Sequence, residues 1–450
     1  MIMGNKDKFP VLSKNVVIHC HPRGCFVITD EWKSSGAKRY LKSIVNKTGM
    51  EILIRCNRGL SIGDIAKDIS TGEPVSQVYP HVSSFLEEAK ERKHISYYNE
   101  PRPVKINITG STECFIPTHL MIELTLDCNL RCKHCYRYNS NSITKHDRLN
   151  TGDLLTLLRF FSERGTRIVE LTGGEPLMHP HFNSILAFCA KHFAYVALIT
   201  NGTLADEEVA KRIGSYKNVF VQISLHGSTA HSHNSFVGKS GAFNKTTNAI
   251  SLLSKENVLV RVAMTVTPKN MYEIEDTLLL SQELGADVFI YSPFVPLGRG
   301  KNLETFTYNQ AMELVKLHNY LESKYKNGIF FTLPSEMLAK IKKLKNCGAG
   351  YDTCALSSEG TLRPCPLLPD KYAFVNLSKN NISTLLKLKK FVGEYFYDLR
   401  SPSENICGDC KYLSICKSCI ARGIIQYEEI GEECRWGRIN KLGKLLKGAS

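Results

Sequence analysis

The chain has few of the features that mark membrane or secreted proteins. No apolar run is nearly as long as a membrane-spanning helix, which needs about 20 residues. Residues 1–8 lead into no apolar segment of the signal type. We therefore expect a protein of the cytoplasm that has no contact with a membrane.

Cysteine, by contrast, is abundant, with 16 residues in a chain of 450. A reducing compartment argues against a framework of disulfides, so the cysteines favour metal ligation. The length predicts two or three domains. The formal net charge of +15 is spread along the chain and no recognised nucleic-acid module accompanies it. We read it as a solvated surface and do not expect nucleic acid as a partner.

The most informative motif is the run from Cys128 through Cys132 to Cys135, followed downstream by Gly173-Gly174-Glu175-Pro176. Three thiolates on one tight loop can bind three irons of a [4Fe–4S] cubane and leave the fourth iron open. A small molecule with an amine and a carboxylate can fill that iron, and a glycine pair allows close backbone approach. A zinc loop is the alternative, but structural zinc takes four closed ligands and the run offers three.

These residues resemble the radical SAM family, whose CxxxCxxC motif is followed by an aromatic residue, here Tyr136, and whose second strand ends in a GGE-type motif. The resemblance implies that the three cysteines bind the catalytic [4Fe–4S] cluster. It also implies that S-adenosylmethionine (SAM) is bound at Tyr136 and at the segment Gly173, Gly174 and Glu175.

Residues 1–100 read as a separate winged-helix-like module. The pattern predicts strands at 15–21, 25–29 and 41–45, and helices at 49–56, 61–69 and 75–91. Residues 101–116, with Pro101, Pro103 and Gly110, read as a linker. Buried thiols are the preferred interpretation of Cys20 and Cys25, with zinc binding by the segment His19-Cys20-His21 as the alternative.

The layout of this module is similar to the PqqD-like recognition element of enzymes that modify ribosomally made peptides. The resemblance implies that it binds the leader segment of a precursor peptide as an added strand. A DNA-binding winged helix is the alternative interpretation.

Residues 117–335 alternate strand and helix, which predicts an α/β fold with a parallel sheet of six strands. The candidate strands are 120–125, 167–171, 194–200, 219–225, 258–266 and 288–291. The motifs follow strand ends, where parallel barrels carry their functional groups. Radical SAM proteins share a partial (β/α)6 barrel, and the resemblance implies SAM contacts from Ser224 and Arg261. His226 stands where relatives often have Asp, and we read it as an ordinary turn residue.

Residues 336–450 carry eight further cysteines, enough for two four-cysteine clusters or two zinc sites. Beside a radical SAM core the block resembles a SPASM domain, which holds auxiliary [4Fe–4S] clusters. The resemblance implies Cys347, Cys354, Cys365 and Cys419 as ligands of the first cluster, and Cys407, Cys410, Cys416 and Cys434 as ligands of the second. Cys354 is the least secure ligand, because several thioether-forming relatives use only three cysteines at the first cluster.

The three parts together resemble the maturases of ribosomally synthesised peptides, most closely the thioether-forming (sactipeptide) maturases of the subtilosin type. The resemblance implies an oxidoreductase with three [4Fe–4S] clusters and SAM, a precursor peptide as substrate, and flavodoxin or ferredoxin as electron donor. It implies a crosslink from a cysteine sulfur to a carbon of an acceptor residue. Carbon–carbon crosslinking, epimerisation and formylglycine formation are alternatives, as is a metal-containing DNA-binding regulator. No catalytic acid or base stands out.

Overall fold

The described chain divides into two compact units. The structure, a computed structural model, describes residues 8–32, 38–137, 149–325, 346–377 and 390–443. The first unit comprises Met1–Ile116 with Lys389–Glu394, and the second comprises Pro117–Leu388 with Tyr395–Ser450. Among the described helices, none combines the length and the apolar character needed to cross a membrane.

The first unit combines two small sheets with three helices. Its elements in chain order are β1 (Phe9–Leu12), β2 (Val16–His21), β3 (Gly24–Trp32), β4 (Lys38–Asn46), α1 (Lys47–Arg55), α2 (Ile62–Ile69), α3 (Val75–Glu91), β5 (Ile95–Tyr98) and β6 (Asn107–Gly110). β1 pairs with β5, and the larger sheet has the order β4-β3-β2-β6. Ser61 begins α2 with a capping box to Asp64, which satisfies backbone donors at the helix start. The predicted strand–strand–strand–helix order is thus present.

The expected linker at 101–116 is wrong, because part of it is a strand. β6 pairs in parallel with β2, and the His19 Nδ1 atom lies 2.9 Å from Thr109 Oγ1. The short Asn107–Gly110 segment is the edge strand next to β2. This pairing joins residues far apart in sequence, so the local turn residues do not predict it. Cys20 and Cys25 are cross-strand partners in the buried core, as the buried-thiol interpretation expects.

The second unit is built on a parallel sheet of the six predicted strands. Its barrel elements are β7 (His119–Thr125), α4 (Thr151–Glu163), β8 (Ile168–Gly173), α5 (Phe182–His192), β9 (Tyr195–Thr200), α6 (Glu207–Gly214), β10 (Val219–Ser224), α7 (Ala230–Val237), α8 (Ala242–Lys255), β11 (Leu259–Val266), α9 (Ile274–Glu283), β12 (Val288–Pro293) and α10 (Tyr308–Lys324). The strands stand in the order β12-β11-β10-β9-β8-β7. The α/β prediction with its six parallel strands is confirmed, and all six carboxyl ends meet at one edge.

The cysteine-rich C-terminal block extends this sheet. Its elements are β13 (Thr353–Leu356), β14 (Thr361–Arg363), β15 (Val375–Asn376), α11 (Lys390–Asp398), α12 (Glu404–Cys407), α13 (Leu413–Cys416), α14 (Ile420–Ile430) and α15 (Arg435–Ile439). β13 pairs in parallel with β7, and β14 and β15 follow as antiparallel strands. The boundary expected at 335/336 lies outside the described residues. Barrel and block therefore share one sheet within one compact unit.

Candidate cofactor site

Three cysteines line one cavity at the carboxyl edge of the barrel. The loop after β7 carries Cys128, Cys132 and Cys135, and all three line a cavity of about 690 Å³. The other predicted SAM contacts that reach this cavity are Gly173, Gly174, Ser224, Arg261 and Tyr136. The structure thus brings together residues from β7, β8, β10 and β11 that are far apart in sequence.

Glycine is required at the end of β8 by the backbone of the cysteine loop. Gly173 has a φ of +125°, and a Cβ added there would lie 2.3 Å from the Thr125 carbonyl oxygen. A Cβ on Gly174 would lie 2.1 Å from the Asp127 carbonyl oxygen. The Gly174 N–H donates to Thr125 O at 2.6 Å. The glycine pair therefore lets β8 pack directly against the start of the cysteine loop.

Glu175 does not line the cavity, which differs from the expected SAM contact. It is fully buried, and its carboxylate accepts hydrogen bonds from Thr200 Oγ1 at 2.7 Å and from the Asn201 N–H at 2.9 Å. Burial raises the pKa of this carboxyl group, while these hydrogen bonds lower it. Asn201 in turn donates from Nδ2 to Asn129 Oδ1 at 2.9 Å. Glu175 thus positions Asn201, and Asn201 holds the cysteine loop.

Arg299 forms hydrogen bonds to the cysteine loop. The sequence did not single it out as a site residue. Its Nε donates to the Cys132 carbonyl at 2.8 Å and its backbone N–H donates to the Cys135 carbonyl at 3.0 Å. Gly298 precedes it with a φ of +52°, and a Cβ there would lie 2.4 Å from the Cys135 oxygen. The Gly298-Arg299-Gly300 pattern was the available sequence signal.

Replacing Arg299 with Ala is expected to make an iron–sulfur cluster bound by this loop more labile. The substitution removes a hydrogen bond from a charged donor, a loss that corresponds to roughly a 10-fold change in an equilibrium constant. The measurement is the rate of iron loss to a chelator under anaerobic conditions, compared with wild type. Arg212→Ala, an exposed arginine on α6, is the control and should lose iron at the wild-type rate. Equal rates for Arg299→Ala and wild type would contradict this role.

The pKa of Cys132 is affected by the other two thiols of the loop. Burial raises the pKa of Cys132 to about 12, Cys128 and Cys135 raise it further, and Arg299 lowers it. Three thiolates side by side repel each other unless a cation compensates them. A bound iron–sulfur cluster supplies such compensation, so the donor set and its surroundings fit the cluster.

The eight C-terminal cysteines fall into two groups. Cys407, Cys410, Cys416 and Cys434 all line one small cavity of about 30 Å³. In the other group, burial raises the pKa of Cys365 to about 12, and Cys419 and Cys347 add to the rise. Cys354 is buried on β13, and besides burial its pKa is raised by Asp352 and Cys365. The Cys365 thiol therefore lies near enough to Cys354 to affect its pKa.

A second cavity adjoins the first. It measures about 720 Å³ and shares Leu126, Tyr136, Arg137 and Arg299 with the cofactor cavity. Its lining also includes Arg363 and the segment 366–370, which flank Cys365. The shared walls place this space between the cysteine loop and the Cys365 group.

His226 follows β10, in the turn where the sequence predicts an ordinary turn residue. It is buried and lines the cofactor cavity, and its ring contacts the ring of His134 edge-on at 4.6 Å between centroids. Burial, and then His134 and His233, hold the pKa of His226 well below its usual value. The ring is therefore neutral at pH 7.

Comparisons with known proteins match the part of the chain that carries this cavity. The radical SAM superfamily model matches residues 122–280, which contain the cysteine loop and the glycine pair. The chain is 28% identical over 456 residues to the antilisterial bacteriocin subtilosin biosynthesis protein AlbA of Bacillus subtilis (strain 168), an alignment that covers 98% of this chain and 99% of that protein. It is 28% identical over 315 residues to the mycofactocin maturase MftC of Mycobacterium tuberculosis (strain CDC 1551 / Oshkosh), covering 68% of this chain and 78% of that protein.

A solved structure shares the fold over most of the chain. Streptococcus suis SuiB bound to the precursor peptide SuiA is 13% identical, with a TM-score of 0.59, and the match covers 93% of this chain and 97% of that one. The DNA-binding regulator considered from the sequence predicts no SAM site, so we set it aside. With its cysteine loop, glycine pair and six-stranded sheet, the chain contains a radical SAM domain over residues 122–280 and is a radical SAM enzyme.

Proposed function

We propose that this enzyme forms thioether crosslinks in a ribosomally synthesised precursor peptide, joining a cysteine sulfur to a carbon of an acceptor residue. The observation that carries the proposal is the second cavity, which shares walls with the cofactor cavity and reaches the residues that flank Cys365. A peptide in this cavity lies between the SAM site and the first auxiliary group. The similarity to AlbA over nearly the whole of both chains supports the same function.

In this proposal Cys128, Cys132 and Cys135 hold the SAM-binding [4Fe–4S] cluster, with SAM held at Gly173, Gly174, Ser224, Arg261 and Tyr136. When bound, the cluster and SAM supply the radical that takes a hydrogen atom from the peptide. The remaining task of the protein is to orient the peptide and to exclude water. Tyr136 and Arg137 stand at the junction of the two cavities, where they line the path from SAM to the peptide.

Two auxiliary [4Fe–4S] clusters complete the proposal. Cys407, Cys410, Cys416 and Cys434 bind the second, and the exposed Cys410 puts that group at the surface, where a flavodoxin or ferredoxin has access. Cys347, Cys365 and Cys419 bind the first. Cys354 is the fourth candidate ligand, but several thioether-forming relatives use only three cysteines at this cluster, which favours a three-cysteine site with one iron left for a substrate thiolate.

Replacing Cys354 with Ala is therefore expected to leave the first auxiliary cluster in place. The iron content per chain should stay at the wild-type value and peptide modification should continue, because the other three thiolates still hold the cluster. Cys365→Ala is the matched control and should lose iron. Iron analysis with Mössbauer spectroscopy makes the comparison, and a cluster missing from Cys354→Ala would show that all four cysteines are ligands.

We also propose that the first unit binds the leader of the precursor peptide by strand addition. Within the described residues β4 pairs on one side only, with β3, so its other edge has backbone groups available for a peptide strand. The test is fluorescence anisotropy with a labelled leader segment of the precursor peptide. Binding that survives removal of residues 1–116 would contradict leader recognition by this unit.

The test of the proposed reaction is mass spectrometry of the precursor peptide after reaction with SAM and a reductant under anaerobic conditions. Each thioether removes two hydrogen atoms and makes one cysteine resistant to alkylation. A loss of two hydrogens with every cysteine still alkylated indicates a carbon–carbon crosslink or the oxidation of a serine to formylglycine. An unchanged mass of the precursor peptide, together with a D-amino acid after its hydrolysis, indicates epimerisation.

A further inference from the structure

His226 has one ring nitrogen fixed by the protein backbone. The Thr265 N–H donates to His226 Nδ1 at 3.0 Å. Because a backbone N–H can only donate, Nδ1 is the acceptor, and the proton of the neutral ring is on Nε2. Strand β11 thus sets the tautomer of His226.

The neighbours of His226 hold its ring in place. Its backbone N–H donates to His233 Nδ1 at 3.1 Å, and its carbonyl accepts from Asn270 Nδ2 at 3.0 Å. Phe236 lies against both His226 and His134, at 5.0 and 4.6 Å between ring centroids. The side chain therefore has little freedom to turn, and its Nε2–H donor is preorganised.

His226 also lies in the wall of the cofactor cavity. It follows β10 by two residues after Ser224, and both side chains line the cavity of the three cysteines. Because Nδ1 accepts the hydrogen bond from the Thr265 N–H, Nε2–H is the remaining hydrogen-bond donor of the ring, and it can donate to a ligand in the cavity. SAM carries carboxylate and ribose hydroxyl oxygens, each of which accepts such a bond.

We propose that His226 is a SAM-binding residue whose Nε2–H donates a hydrogen bond to an oxygen of the cofactor, either the carboxylate or a ribose hydroxyl. The inference rests on the proposed SAM site. It assigns a cofactor contact to a position that the sequence pattern had marked as a turn.

Two variants separate the contact from the local structure. His226→Asn retains an oxygen near the Nδ1 position to accept the Thr265 N–H but lacks the distal donor. His226→Gln carries an amide N–H near the Nε2 position and restores the donor. His231→Phe, an exposed histidine on α7, is the matched control.

The experiment is equilibrium binding of SAM to the reconstituted wild-type enzyme and the variants, measured by calorimetry without reductant. We expect His226→Asn to bind SAM on the order of 10-fold more weakly, and His226→Gln and His231→Phe to bind it with nearly wild-type affinity. Methylthioadenosine, which has the ribose but no carboxylate, identifies the partner. If His226→Asn also weakens methylthioadenosine binding, the ribose is the acceptor; if it weakens only SAM binding, the carboxylate is.

Wild-type affinity in His226→Asn for both ligands would overturn this inference and leave the SAM site intact. Failure of the wild-type enzyme to bind SAM would instead contradict the SAM site itself. Equal weakening in His226→Asn and His226→Gln, with a lowered melting temperature in both, would assign His226 a purely structural role and also overturn the inference.

Discussion

Replacing Glu123 with Ala is expected to lower the free energy of unfolding of the second unit by about 3–5 kcal/mol. Glu123 on β7 is buried, and its Oε2 atom lies 2.6 Å from Arg137 and 2.5 Å from Arg363. The side chain of Arg363 is 1% exposed. Removing the carboxylate leaves this guanidinium buried without its close partner, since its other ion pair, to the exposed Asp370, spans 3.6 Å.

Urea unfolding followed by circular dichroism and by the fluorescence of the buried Trp436 measures this loss. Glu208→Ala is the control, because Glu208 forms an exposed ion pair with Arg212 on one helix and such pairs contribute about 0–1 kcal/mol. A Glu123→Ala protein as stable as the Glu208→Ala protein would show that the buried group contributes little.

Replacing Gly174 with Ala is expected to reduce SAM cleavage on the order of 100-fold, because misplacing reacting groups by about 1 Å has an effect of this size. The added Cβ would lie 2.1 Å from the Asp127 oxygen and 2.7 Å from the Asp127 carbon. Both are backbone atoms of the cysteine loop, so the loop itself must move. The measurement is the rate of 5′-deoxyadenosine formation under reducing, anaerobic conditions.

Gly63→Ala is the matched control for this substitution. A Cβ on Gly63 would meet nothing closer than Ser61 Oγ at 3.7 Å, and we expect full activity. Wild-type SAM cleavage by Gly174→Ala would show that the cysteine loop tolerates the displacement, and it would contradict the role given to the glycine pair.

The barrel was predictable because its strands are coded locally. Each of the six is a short run rich in branched apolar residues, and the parallel arrangement follows from the helices between them. β6 and the pairing of β13 with β7 were not predicted, because neither strand has a strong local sequence pattern. Asn107–Gly110 and Thr353–Leu356 are four residues each, and they become strands through pairing with β2 and β7 across long stretches of sequence.

The candidate site was predictable where chemistry depends on residue type and spacing, as for the cysteine loop and the glycine pair. It was not predictable where the role of a residue depends on the direction in which its side chain points. Glu175 follows the glycine pair directly, yet its carboxylate points into the protein toward Asn201. Arg299 reaches Cys132 across 167 residues, and the role of His226 depends on a hydrogen bond from Thr265. No local pattern reports such contacts.

The measurement that tests the central claim most directly is an assay for 5′-deoxyadenosine from SAM, joined to iron and sulfide analysis. It compares the anaerobically prepared wild-type enzyme with the variant in which Cys128, Cys132 and Cys135 are all Ala. Three cubanes predict about 12 irons in the wild type and about 8 in the variant. SAM cleavage should occur in the wild type and be absent from the variant. Zinc in place of iron in the wild type, or SAM cleavage that survives in the variant, would contradict the account.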